Sequence, residues 1–284
     1  MVLSRSIFRT LSSPVSRSCA LILAVSAMTA ACAPEAATDQ EAQKDPKASE
    51  YVETPAVQSA QRTSDGQISI FGRAAANAIV RLSAPEGQSW GMTSGADGAW
   101  AFTAPVGAAP RMLALTSESD GRVVHIDGAL ILLPSPGLPL VVARPGYGAA
   151  PVVGFKGKPA IVALDYDSGG GAMVAGVARP GALIRLFIDG QPEGESHADA
   201  QGRFSAPAVK HPVTPGLHEL RVETSDGAVM VAARVSRIDP LGSLAYRPVR
   251  EEDAWRLDWR AAQDGVQSTL DFDSAAALLV GARP

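Results

Sequence analysis

The residues of this 284-residue chain that could do chemistry are few and far apart. Cys32 directly follows the small-residue run "LILAVSAMTAA", and a thiol is a nucleophile that can be covalently modified. Trp255 and Trp259 bracket Arg256 and Asp258 in "AWRLDWR", and planar aromatics beside hydrogen-bonding charges are one way to stack on sugar rings. "LDYDSGGGAMVAG" opens with Asp165 and Asp167 at the spacing of a calcium loop. However, Gly169 occupies the third ligand position and Gly176 stands where the closing Glu is required. His197, His211 and His218 share one region without zinc-ligand spacing. There is no nucleophile elbow and no phosphate-binding loop, and the carboxylates are scattered, not paired. The pattern predicts a protein that is not an enzyme, with no catalytic residue, no metal and no cofactor.

The tryptophans must be positioned by strands. In "AWRLDWR" apolar and charged residues alternate, so Trp255, Leu257 and Trp259 fall on one face and Arg256, Asp258 and Arg260 on the other. Asp264-Gly265 supplies a turn, and Val266, Ser268, Leu270 and Phe272 alternate along the return strand. The expected element is a β-hairpin with a Trp-rich face, within a C-terminal hairpin and tail at 240–284. Packing of that face against a neighbouring domain is the reading that large aromatics favour. Contact with a glycan or a partner through Trp255, Trp259 and Arg256 is the alternative.

Residues 1–31 contain Arg5, Arg9 and Arg17, no acidic residue, and an apolar run from Ala20 to Ala31, the layout of a secretory signal peptide. That run is shorter than the roughly 20 residues needed to span a bilayer. Met28-Thr29-Ala30-Ala31-Cys32 resembles the lipobox of bacterial lipoproteins, with Thr29 where that family favours Leu. The resemblance implies cleavage before Cys32, a lipid on its thiol and anchoring to a membrane. With Ala33 next, and not Asp, it implies the outer membrane. Ala31-Cys32-Ala33 also fits ordinary signal peptidase, which would release a soluble protein. Both alternatives export the chain.

Export also constrains stability. Cys19 leaves with the leader and an acylated Cys32 cannot cross-link, so no disulfide is expected and each core must fold unstapled. Removing the three leader arginines takes the formal charge from −4 to about −7, a surface that disfavours nucleic acid and anionic headgroups as partners. Residues 32–62, rich in Ala, Glu, Gln, Lys and Pro, are expected to form a disordered tether.

The rest of the chain repeats itself. "FGRAAANAIVRL" from Phe71 matches "AGVARPGALIRL" from Ala175, with Gly72, Ala78, Arg81 and Leu82 falling on Gly176, Ala182, Arg185 and Leu186 at an offset of 104. "ADGAWAF" and "AQGRFSA" keep that register. After a two-residue shift, Asp120-Gly121 meets Asp226-Gly227. Within each copy the hydrophobic period is two, broken by Asp-Gly turns, which predicts short antiparallel strands. The fold class expected is all-β: two tandem antiparallel β-sandwiches at 63–134 and 159–239, joined by a Pro/Gly-rich connector at 135–158.

"VARPGALIRLFIDGQPEGESHADAQGRFSAPAV" is similar to bacterial Ig-like domains, which share its Pro-Gly turn, its alternating strand ending in Asp-Gly and its A-D-x-x-G-x-F hairpin. In the first copy "AAANA" replaces the Pro-Gly turn. The resemblance implies Ig-like sandwiches acting as spacer or adhesive modules of the cell envelope, without catalytic residues. The function expected is that of a non-catalytic envelope lipoprotein, a scaffold or interaction module whose partner is an envelope protein or glycan. The alternative is a peptidoglycan or glycan binder using the Trp-rich hairpin.

Overall fold

The computed structural model describes residues 52–105, 107–134, 139–152, 154–252, 254–261 and 265–272; all regular structure among them is antiparallel β. The expected leader, Cys32 and the residues from 273 onward lie outside the described residues.

In the first sandwich β1 (Ala56–Arg62), β2 (Ile68–Arg73) and β5 (Ala99–Ala104) form one sheet in the order β1-β2-β5. The facing sheet runs β10-β9-β8-β6-β3-β4, from β3 (Ile79–Ser83), β4 (Ser89–Thr93), β6 (Arg111–Ser119), β8 (Ala129–Leu132), β9 (Leu140–Arg144) and β10 (Gly148–Pro151). β7 (Arg122–His125) pairs beside β6. In the second sandwich one sheet runs β15-β12-β11-β20-β19-β18, from β11 (Ala160–Asp167), β12 (Ala172–Val177), β15 (Arg203–Ala208), β18 (Tyr246–Arg250), β19 (Trp255–Arg260) and β20 (Val266–Asp271). The other runs β14-β13-β16-β17, from β13 (Leu183–Ile188), β14 (Gln191–His197), β16 (Gly216–Thr224) and β17 (Gly227–Val235).

The period-two pattern decides which residues go inside. On β5, Trp100, Phe102 and Ala104 are buried while Ala99, Ala101 and Thr103 face solvent, and on β13 Ile184, Leu186 and Ile188 are buried. Asp120-Gly121 and Asp189-Gly190 have positive φ at both residues, which a two-residue type I′ hairpin turn demands. Gly72 lies opposite Trp100, and Gly176 opposite Phe204, in the same place in each copy. A Cβ on either glycine would meet that ring and the carbonyl of Ala56 or Ala160 at under 3 Å. The repeated Gly-aromatic pair is therefore a packing device of the fold.

The repeat reaches further upstream than the sequence pattern indicates. β1 pairs β2 with a bulge between Val57 and Ser59, and β11 pairs β12 with a bulge between Ile161 and Ala163, again 104 residues on. Residues 56–62, inside the expected tether, are thus the first strand of the first sandwich. Their composition hides this: Gln58, Ser59 and Gln61 are exposed and only Ala60 is fully buried, so "AVQSAQR" carries almost no apolar signal. The expected connector is not simply a linker either, because it contains β9 and β10, which widen the first sandwich. The C-terminal hairpin is β19–β20, and β20 pairs along β11, so it belongs to the second sandwich's sheet.

These extensions create a third core. Apart from the interiors of the two sandwiches, Ile131, Leu133, Val141, Ala143 and Ala149 from β8–β10 pack against Val162, Ala163, Ala175, Val177, Leu257 and Trp259 of the second sandwich. The broad sheet of one copy lies on the broad sheet of the other, burying both faces. That explains why "AIVALDY" on β11 is buried throughout.

Candidate functional site

Among the described residues the concentration of buried polar groups lies at this middle core and around it. Trp259, 1% exposed, donates its indole Nε1–H to Thr269 Oγ1 at 3.0 Å. Thr269 donates in turn to Asp165 Oδ1, and Asp165 Oδ2 accepts the backbone N–H of Ala149 on β10 of the first sandwich. A hydrogen-bonded chain thus links β19, β20 and β11 to the other copy. Burial pushes the Asp165 carboxyl up to about 6, against the opposing pull of the Ala149 N–H and the Thr269 hydroxyl. Two further contacts cross the joint: Tyr246 Oη donates to Glu86 Oε1 at 2.5 Å, and the Phe155 N–H bonds the Gln201 carbonyl at 3.0 Å. Burial, followed by the Glu86 carboxylate, pushes the Tyr246 hydroxyl up to about 12.

The opposite face of β19 is also covered. Asp258, fully buried, accepts Arg256 Nε at 2.8 Å, Arg247 Nη2 at 2.8 Å and Ser268 Oγ at 2.6 Å, while Arg256 Nη1 reaches Glu251 at 2.5 Å. Burial opposes the Arg256 charge, but Asp258, Tyr166 and Glu251 raise its pKa beyond the ordinary guanidinium value. A buried cation satisfied in this way is structural.

In this placement the Trp face packs against the neighbouring sandwich, and the residues of the alternative contact site are largely covered. Trp259 and Arg256 are enclosed, so neither offers a surface to a glycan or a partner; Trp255 is half-buried, with the Arg250 guanidinium 5.2 Å from its ring centroid. The face expected to be polar fails to reach water because the hairpin is paired between β11 and β18, inside a sheet covered on both sides. Asp167 caps its own turn, accepting the N–H groups of Gly169 at 2.7 Å and Gly171 at 3.1 Å. His211 pairs with the buried Glu193 at 2.6 Å and His218 with Asp189 at 2.7 Å, while His197 lies elsewhere, beside the cleft described next. Among the described residues no His, Cys, Asp and Glu cluster into a set that could hold a metal ion.

A cleft of about 380 Å³ opens where β1 begins, lined by Val57, Ile126, Val142, Ala150 and Phe204 together with Arg144 and Arg203. Arg144 pairs with Asp127 at 3.5 Å and Arg203 with Asp199 at 2.8 Å. Residue types alone do not mark Asp165 as the link across the joint. Carrying the 104-residue offset ten to thirteen residues upstream of Phe71 gives a signal, because it sets Asp165 opposite Gln61 and Val162 opposite Gln58. A carboxylate and a valine where the first copy has exposed amides mark a strand that is covered.

The fold defines the class: an all-β protein of two tandem Ig-like antiparallel sandwiches. No protein-family model matches the chain, and no curated protein sequence matches it. Among solved structures it is similar to the central fibronectin-III array of RIM-binding protein, at 8% identity over 78% of this chain and 90% of that one, with a TM-score of 0.24. It is also similar to a structure from the host-cell-surface retention of a 1.5-MDa bacterial ice-binding adhesin, at 15% identity over 65% and 64% of the two chains, with a TM-score of 0.20. A third is Escherichia coli alpha-2-macroglobulin, at 18% identity over 75% of this chain and 14% of that one, with a TM-score of 0.20. Likenesses this slight transfer no activity or partner to the chain.

Proposed function

We propose that the chain is a non-catalytic lipoprotein of the cell envelope, exported by residues 1–31 and anchored at the outer membrane through a lipid on Cys32. Its tandem Ig-like sandwiches serve as a scaffold or protein-interaction module. The observation that supports the module reading is the middle core: Trp259, Leu257 and the Asp165 chain join the two sandwiches through buried contacts. A flexible pair would swing about a linker, whereas a packed apolar joint holds the two sandwiches at a fixed spacing. The anchoring reading rests on the leader and on Met28-Thr29-Ala30-Ala31-Cys32. Cys32→Ser tests it: the variant is expected to lose metabolic lipid labelling and move from the membrane to the soluble fraction. A variant that keeps both label and membrane location refutes the anchor. Retention of the chain on purified sacculi would replace the protein-interaction reading with the glycan one; with Trp259 enclosed, no retention is expected.

A further inference from the structure

The two copies differ at one equivalent edge. In the second sandwich β11 lies between β12 and β20, with Leu164 opposite Leu270 and Asp165 opposite Thr269. In the first, among the described residues, β1 pairs with β2 alone. The Thr63 N–H bonds the Gln67 carbonyl on the β2 side. Bonding direction alternates along an antiparallel pair, so Ala60 turns its N–H and C=O to the open side. Its counterpart Leu164 turns the same groups to β20, consistent with the Phe272 N–H bonding the Val162 carbonyl. The shared bulge does not prevent such pairing, since β11 has it and is paired.

We propose that the open edge of β1, centred on Ala60, is a strand-addition site that takes an extended, antiparallel segment of a partner protein in the position β20 fills on β11. Of the usual guards the edge lacks Pro, Lys, Asp and Glu; its charge is Arg62 at the end of "AVQSAQR", whose guanidinium reaches the Leu133 carbonyl, and its bulge recurs on β11, which is paired all the same. The cleft beside it supplies side-chain contacts, because Val57, Ile126 and Val142 are only partly buried there and alternate residues of an added strand would cover them. Charge decides the chemistry of the occupant. Both arginines that line the cleft have carboxylate partners, so recognition falls to backbone hydrogen bonds and apolar side chains, and not to an anion. The cleft is continuous with the middle core through β10, where Ala149 faces the core and Ala150 the cleft. The proposal deepens the interaction-module reading and rests on it. Its test reads the edge directly, so it can fail while Cys32 lipidation stands, or hold without it.

The experiment is amide hydrogen exchange by NMR on the purified full chain. The probe is a synthetic peptide with the sequence of residues 265–272, "GVQSTLDF", which is the strand that fills the equivalent position. Without peptide, the Ala60 amide is expected to exchange on the order of 100-fold faster than that of Leu164. Peptide at about 1 mM is expected to slow Ala60 roughly tenfold and leave Leu164 unchanged. Ala60→Pro removes the outward N–H and is expected to abolish binding. Two N-methylated peptides make the same test on the unaltered protein. Methylation at the Leu270 amide, which faces the paired strand, should abolish protection, and methylation at Thr269, which faces away, should not. Four results would overturn the proposal: Ala60 already protected in the peptide-free chain; protection that grows with protein concentration alone, which makes a second copy the occupant; no protection at 1 mM peptide; or equal effects of the two methylated peptides.

Discussion

The two sandwiches carry the same strands in the same register, yet each widens a different one of its two sheets. The first adds β9 and β10 beyond β8 and leaves β1 as an edge; the second adds β20, β19 and β18 beyond β11 and leaves β17 as an edge. The added strands carry the apolar faces that meet in the middle, Val141, Ala143 and Ala149 from one side and Leu257 and Trp259 from the other. The repeat therefore builds two cores by copying and a third by departing from the copy. Divergence between the copies, at Gln61 against Asp165 and Gln58 against Val162, marks where one strand faces water and the other a neighbour.

The largest test of that contrast removes the ring at the joint. Trp259→Ala is expected to cost about 3–5 kcal/mol by chemical denaturation, and to split unfolding into separate transitions because the cavity lies between the sandwiches. A single transition with an unchanged midpoint would show that Trp259 contributes nothing to their coupling.

The next effect is pH-dependent. The folded-state pKa of Asp165 is raised from 3.8 to about 6, so the buried neutral acid contributes stability that is fully present below about pH 4 and is lost as pH rises through 6. The loss is roughly 3 kcal/mol at 1.36 kcal/mol per pKa unit. Asp165→Asn is expected to flatten this dependence and to stabilise the protein at pH 7.5. The reciprocal exchange in the exposed first copy, Gln61→Asp, is expected to change stability by less than about 0.5 kcal/mol. Equal pH profiles for Asp165→Asn and the parent chain would contradict the burial argument.

Gly72→Ala and Gly176→Ala sharpen the comparison from the opposite side, because here the copies are alike. Each added methyl is driven into an aromatic ring and a carbonyl, Trp100 and Ala56 in one copy, Phe204 and Ala160 in the other. Each should lower stability by about 1–3 kcal/mol, and a loss confined to one copy would break the equivalence.

The smallest effect belongs to His218. Partial burial opposes its charge, but the hydrogen bond to Asp189 and the Thr214 carbonyl raise its pKa. The same histidine, after the stronger hydrogen bond from the Glu219 N–H, helps lower the pKa of Asp189. The stability from His218 is present below its unfolded pKa and fades as pH rises through the folded value; that from Asp189 fades as pH falls. His218→Gln should therefore cost less than about 1 kcal/mol near pH 6 and less still at pH 8, because the pair is partly exposed.

How much was legible beforehand varied with burial. Alternation in "ALIRLFID" and "AWAF" gave strands with their inward faces, and the Asp-Gly steps gave turns, because both signals are local. β1 leaves little trace in the sequence because an edge strand buries one face only in part and needs few apolar residues. The sequence leaves open what the polar face of β19 meets, because Arg256 and Asp258 look alike in water and in a closed ion network; only the partners Arg247, Glu251 and Ser268 separate the two cases.

What the sequence by itself determined is the all-β class, the tandem repeat and the strands of each copy, since period-two burial and turn chemistry act over a few residues. Which faces meet was decided by tertiary structure alone. The pairing of β20 with β11, the covering of Trp259 and the choice of β1 as the edge left open all join residues of high sequence separation: Thr269 bonds Asp165, and Tyr246 bonds Glu86. Local patterning shows that a face wants burial, but what buries it depends on the arrival of a distant strand, and that is fixed only when the whole chain packs.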